Sequence, residues 1–104
     1  MILVYITCKD RKEAKKISEH LLKKRLIACA NIFPVESMYW WKGKIVNEKE
    51  IVLICKSKEN KFSGIKKAIK KIHSYEIPCI ERIRTTADLD YEKWVKKELE
   101  LRNY

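Results

Sequence analysis

Four cysteines and two histidines carry the softest ligand chemistry in this chain of 104 residues. Cys8, Cys29, Cys55 and Cys79 stand far apart, so no C-x-x-C pair exists. That spacing excludes a zinc ribbon and a thioredoxin-type redox motif. Each thiol lies in an apolar, strand-like stretch, where it reads first as a small buried hydrophobe. His20 stands beside Leu21 in a helical stretch and reads as an ordinary helix residue. His73 closes a second helical stretch and leads into Ser74-Tyr75-Glu76-Ile77-Pro78. There an imidazole can meet the negative end of a helix dipole or ligate a metal through a neutral nitrogen. Glu50 precedes the apolar run Ile51-Val52-Leu53-Ile54-Cys55, and Lys56 ends it. A carboxylate at the margin of an apolar sheet is a candidate for a perturbed pKa and hence for a site. With Lys56, Tyr75 and Glu76 it makes a candidate ligand cleft. The chain has no phosphate-cradling glycine-rich loop, no G-x-S-x-G and no H-E-x-x-H. Without a catalytic constellation, it reads as a binding module and not as an enzyme.

The elements that must position these residues follow from apolar periodicity. Residues 2–8 are apolar and β-branched, as in a buried strand. Asp10 then offers an acceptor to a helix start, with Glu13 three residues later in capping-box spacing. Ala14, Ile17, Leu21 and Leu22 recur at helical spacing, with lysines on the remaining surface, so a helix spans about 10–25. Residues 27–41 and 44–57 read as two extended arms around a Lys42-Gly43 turn, where glycine takes a positive φ without steric cost. Pro34 requires an edge, a bulge or a bend. The polar stretch Asn47 to Glu50 is a candidate bulge. On this hairpin Glu50 falls opposite Val35, and Lys56 opposite Cys29. Phe62, Ile65, Ile69 and Ile72 mark a helix over about 60–74, which ends before Pro78. Residues 79–86 read as a fourth strand. Asp88 or Asp90 caps a last helix to about residue 101, presenting Tyr91, Trp94, Val95 and Leu99. The order β-α-β-β-α-β plus a terminal helix predicts an α+β, ferredoxin-like sandwich. Its sheet is antiparallel, with a long hairpin formed by residues 27–41 and 44–57. With no linker or repeat, residues 1–104 read as a single domain.

That hairpin predicts self-association. Arms of about 14 residues reach about 45 Å, well beyond a domain of radius near 13 Å. The far end carries Met38, Tyr39, Trp40 and Trp41, an apolar patch rarely left in water. Another copy of the chain is the economical cover for it. The longest apolar runs are too short to cross a bilayer. The N-terminus shows neither a basic leader nor a small-residue cleavage site, so a cytoplasmic location and no membrane partner are expected. The net charge of +10 comes from 24 Lys and Arg against 14 Asp and Glu. It permits attraction to nucleic acid, making a basic RNA-binding module a third reading. No aromatic stacking platform is visible for RNA. The lysine-rich helix faces therefore read as solvated surface, and nucleic acid is disfavoured as a partner. The charge-rich, glycine-poor and proline-poor composition also resembles that of heat-stable proteins.

Several segments together resemble the CutA divalent-cation-tolerance family over about residues 2–99. The most specific are Arg25 to Ile32, Ser37-Met38-Tyr39-Trp40-Trp41-Lys42-Gly43-Lys44, Glu50 with Leu53 to Ser57, His73 to Pro78, and Asp90-Tyr91 with Trp94. The resemblance implies a tight homotrimer whose hairpin strands pair across subunits, with Tyr39, Trp40, Trp41 and Trp94 at the interface. It also implies tolerance and binding of divalent or heavy metals, copper among them. A similarity of architecture to PII signalling proteins implies, as a second reading, a small anionic effector bound in intersubunit clefts. Some bacterial members carry a metal-binding cysteine in a Cys-Thr pair on the first strand. Here Ile6 precedes Thr7, and Cys8 lies two positions on, on the same strand face and about 7 Å away. Of the paired histidines found in such members, Ile72-His73 retains the second. A soft ion favours thiolate and imidazole. Cys8, Cys29 and His73 are therefore the candidate metal ligands, to be completed by a neighbouring subunit.

Overall fold

The computed structural model describes residues 1–101 and shows an α+β, ferredoxin-like fold with a four-stranded antiparallel sheet. The strands are β1 (Ile2–Cys8), β2 (Cys29–Trp41), β3 (Lys44–Ser57) and β4 (Ile80–Arg84), in the order β2-β3-β1-β4. The helices are α1 (Arg11–Lys23), α2 (Phe62–Ile72) and α3 (Leu89–Glu100). β1 buries every second residue, Ile2, Val4, Ile6 and Cys8, as the period of two in its sequence requires. These side chains meet Ala14, Ile17 and Leu21 of α1, and Ile65, Ala68 and Ile69 of α2. Fully burying one such isoleucine or leucine contributes roughly 1.5–3 kcal/mol. Val52, Val95 and Leu99 are buried outside this cluster, where α3 packs against β3.

Chain reversals follow local chemistry. The Asp10 side chain accepts from the Glu13 amide at 2.8 Å and caps α1. α1 ends without glycine. Arg25 takes φ +56°, and the amides of Arg25 and Leu26 donate to the carbonyls of Leu22 and Leu21. That is a Schellman ending with arginine in the left-handed position. Its guanidinium is tied to Glu98 at 3.0 Å. Lys42 and Gly43 have φ of +48° and +78°, the two-residue turn that suits the twist of a hairpin. A 3₁₀ turn over Glu59–Lys61 leads into α2. Asp88, and not Asp90, caps α3 by accepting from the Asp90 amide.

The β2–β3 ladder runs unbroken from Cys29↔Lys56 to Trp41↔Lys44. The expected bulge at Asn47 to Glu50 is therefore absent. The polar residues there sit on an exposed arm and interrupt no core. Pro34 is accommodated because β2 is an edge strand. β1 covers β3 only as far as Cys8↔Ile51. The remaining seven pairs project as a free ribbon, about 23 Å long at 3.3 Å per residue. Met38, Trp40 and Ile45 near its tip are 70%, 72% and 62% exposed.

Candidate functional site

The last residues of β1 mark the border between the packed core and the free ribbon. Three side chains converge on the helix side of this border. Cys8 ends β1 on its buried face, Glu13 stands in the first turn of α1, and His73 follows the last turn of α2. A ligand atom from each lies within 4.8 Å of the other two. Glu13 is 7% exposed. Its carboxylate does not close a capping box on the Asp10 amide. One oxygen accepts from the Lys9 amide at 3.1 Å, the other from the Ser74 amide at 2.9 Å. Burial pushes the Glu13 carboxyl up, but the bonds from Ser74 and Lys9 outweigh it and hold it below its ordinary value. The Cys8 thiol is pushed up to about 12, first by burial and then by Glu13, Glu50 and Asp10.

His73 Nε2 lies 2.8 Å from the Thr7 carbonyl, and the Tyr75 amide donates to Nδ1 at 3.0 Å. A carbonyl can only accept and an amide can only donate. The pairing therefore assigns the neutral tautomer with its proton on Nε2. Tyr75 continues the chain of contacts. Its ring lies 4.8 Å from that of His73, and its hydroxyl donates to Glu50 Oε2 at 2.6 Å. Glu50 is 6% exposed and pairs with Val35 in the ladder. Burial and this carboxylate push the Tyr75 phenol well above its ordinary range.

On the opposite face of the sheet, a cleft of about 790 Å³ runs from the root of the ribbon toward its tip, between the ribbon and residues 74–79. Glu36, Glu48, Glu50 and Glu76 supply its carboxylates, while Tyr39, Trp41 and Tyr75 supply its aromatic walls. Cys79 also lines it. Its thiol donates to Glu81 at 3.2 Å and is pushed up to about 11 by burial and that bond. Glu50, Tyr75 and Glu76 thus share one cleft. Lys56 does not join them. Its ammonium lies 5.1 Å from the centre of the Tyr91 ring, six residues along β3 from Glu50. Cys29 pairs with Lys56 and lies level with Leu3, not with Cys8. Five residues of strand separate the two thiols, about 17 Å. Tyr39, Trp40 and Trp41 lie at the ribbon tip, whereas Trp94 stacks with Tyr91 on α3. Glu13 is the member of the cluster not singled out as a ligand from sequence. Its one signal there was the capping-box spacing after Asp10.

The donor set of thiol, imidazole and carboxylate fits a soft or borderline cation in kind. Tetrahedral ligands at 2.0–2.3 Å stand about 3.5 Å apart, so the widest gap must close by about 1 Å. Glu13 keeps lone pairs free beside its two bonds. His73 must give up one of its two partners, and Cys8 must lose its proton. The arrangement can therefore take up a thiophilic ion in exchange for a proton and a hydrogen bond.

Fold and site together define a PII-like α+β protein with a candidate cation-binding cluster. The family model of the CutA1 divalent ion tolerance protein matches residues 2–98, and the chain belongs to that family. It is 43% identical over 99 residues to the divalent-cation tolerance protein CutA of Pyrococcus horikoshii, covering 94% of this chain and 97% of that one. The structure described as the periplasmic divalent cation tolerance protein CutA of Archaeoglobus fulgidus has a TM-score of 0.93 and 37% identity. It covers 96% of this chain and 100% of its own. The PII-like protein CutA from Nostoc in its apo form superposes with a TM-score of 0.89 at 28% identity, covering 98% and 100%.

Proposed function

We propose that this chain is a non-catalytic, homotrimeric protein of metal tolerance that binds copper or a similar thiophilic ion through Cys8, Glu13 and His73. One observation carries the reading. A thiol, a carboxylate and an imidazole from three different elements lie within 4.8 Å of one another. The family's name and those of its relatives support a cation as the ligand. Cys29 is too distant within one chain, so it joins the set only from a neighbouring subunit. Self-association through Tyr39, Trp40 and Trp41, with Trp94 beside the interface, is supported by the projecting ribbon and its exposed apolar tip. A cytoplasmic location suits four unpaired thiols, which stay reduced there. Among the described residues, no helix is long and apolar enough to cross a membrane.

Anaerobic calorimetry with Cu(I) and Cu(II) tests the proposal. Binding tighter than about 1 µM, weakened at least tenfold by Cys8→Ser and by His73→Ala, is the expected result. Millimolar binding that neither substitution changes would sink it. A second reading, a PII-like effector module, draws on the cleft of about 790 Å³. Its four glutamates favour a cationic or donor-rich ligand over an anionic one. A thermal-shift screen comparing nucleotides with diamines separates the two charge classes.

A further inference from the structure

The helices on the core side of the sheet carry positive charge that the fold leaves largely unanswered. α2 bears Lys66, Lys67, Lys70 and Lys71 and no acidic residue, and all four lysines are exposed. α1 bears Arg11 and four lysines against Glu13 and Glu19. Glu13 is turned inward and spent on the amides of Lys9 and Ser74. α1 and α2 contact each other over the same core, so their outer faces form one basic layer. Among the described residues, no α2 lysine takes part in an ion pair; the pairs are made by Met1, Arg25, Arg82 and Arg84. Lys66 and Lys70, like Lys67 and Lys71, repel one another at a spacing of four residues. A heat-stabilising ion-pair network would place carboxylates among them. Four of the fourteen acidic side chains line the cleft on the other face of the sheet, and α2 has none of the fourteen.

We propose that the α1–α2 layer docks on the phosphate backbone of double-stranded nucleic acid, independently of the cation site. α1 is about 20 Å long at 1.5 Å per residue. A duplex presents one negative charge per about 1.7 Å of its axis, or about 12 along that length. Lysines provide point charges without the planar fork that reads a base, so recognition is of the backbone and not of sequence. A single strand is the poorer fit, because it needs exposed aromatics on which bases stack. The aromatic ring beside this layer, Phe62, is flanked by Lys66 and Arg82 at 5.3 and 5.1 Å. A lipid surface also fits poorly. Apart from Leu22, which is exposed, the apolar stripes of both helices are turned into the core, leaving no apolar face to insert.

Fluorescence anisotropy of the full chain with a mixed-sequence DNA duplex of about 20 base pairs tests the proposal. If Lys66, Lys67, Lys70 and Lys71 of α2 and Lys12, Lys15 and Lys16 of α1 neutralise seven phosphates, log K falls with log salt at a slope of about −6.3. Affinity then drops roughly 6,000-fold between about 50 and 200 mM salt. Lys67→Gln, Lys70→Gln and Lys71→Gln together should flatten the slope by about 2.7. The same charge removed from α3, by Lys93→Gln, Lys96→Gln and Lys97→Gln, should leave the slope within about one unit of the parent. If circular dichroism shows the α2 variant unfolded, Lys12→Gln, Lys15→Gln and Lys16→Gln on α1 replace it with the same expectation. Equal losses from the α2 and α3 variants would reduce the effect to net charge and overturn the assignment. So would no duplex binding at about 50 mM salt, or binding to vesicles of about 30% phosphatidylserine without duplex binding.

Discussion

Replacing Glu13 by glutamine should lower folding stability by about 2–4 kcal/mol near neutral pH. The side chain is 7% exposed and accepts from two backbone amides, Lys9 at 3.1 Å and Ser74 at 2.9 Å. A hydrogen bond to a charged group is worth about 1.5–3 kcal/mol. Glutamine keeps one oxygen, so one of the two bonds survives in its weaker, neutral form. Its NH₂ must then face the other amide, donor against donor. Urea unfolding at fixed protein concentration, followed by fluorescence of the three tryptophans, measures the loss. The pH dependence checks its cause. The folded-state pKa of Glu13 lies below its ordinary value. The carboxylate's contribution is thus whole above the unfolded value of about 4.3 and is lost as pH falls through the folded value. The glutamine variant cannot titrate at this position. The gap between parent and variant should stay constant from pH 8 to about 5 and narrow below about 4. A gap under about 1 kcal/mol at pH 7, or one that persists undiminished at pH 3, would refute the reasoning.

The other expectations follow from single contacts. Tyr75→Phe removes the donor to the buried Glu50 carboxylate and should cost about 1–3 kcal/mol in the same urea assay. Trp40→Ser with Ile45→Ser strips paired residues that are 72% and 62% exposed. Sedimentation should show a lighter species than the parent at the same micromolar concentration, while far-ultraviolet dichroism is unchanged. Cys8, with its thiol pushed up to about 12, must give up a proton to any metal. The apparent Cu(I) affinity should therefore rise about tenfold per pH unit between pH 6 and 8, and Cys8→Ser should abolish that slope.

Legibility in the sequence tracked how local the determining contact is. β1 and α1 were readable because Ile2, Val4 and Ile6 repeat at two, and Ala14, Ile17 and Leu21 at helical spacing, against a single core. The ribbon turn was readable because Lys42-Gly43 alone supplies the needed positive φ. The end of α1 was less so. Arg25 occupies a position where glycine is the usual signal, and its guanidinium is tied to Glu98, a partner seventy-three residues away. The polar run before Ile51 suggested a bulge because an exposed arm and an interrupted strand look alike in one dimension. At the site, Cys8 and His73 were each visible as ligand types. Glu13 was not, because its spacing from Asp10 already had a sufficient local explanation. The pairing of Cys29 with Lys56 was readable from the hairpin turn. Its distance from Cys8 depends on the β1–β3 register, which no turn fixes.

That register also explains why the cation cluster and the cleft lie side by side. β1 stops at Cys8↔Ile51, one residue before Glu50. The ladder beyond loses its neighbour there, and the chain leaving α2 returns to cover the gap. It does so with three consecutive residues, each tied to a different element. His73 meets Thr7 of β1, Ser74 meets Glu13 of α1, and Tyr75 meets Glu50 of β3. The Tyr75 amide in turn rests on the His73 ring. A shift of the imidazole away from Thr7 or Tyr75 therefore loosens the anchor that holds Tyr75 against Glu50, and with it one wall of the cleft. The chemistry on one side of the sheet and the shape on the other are set by the same three residues.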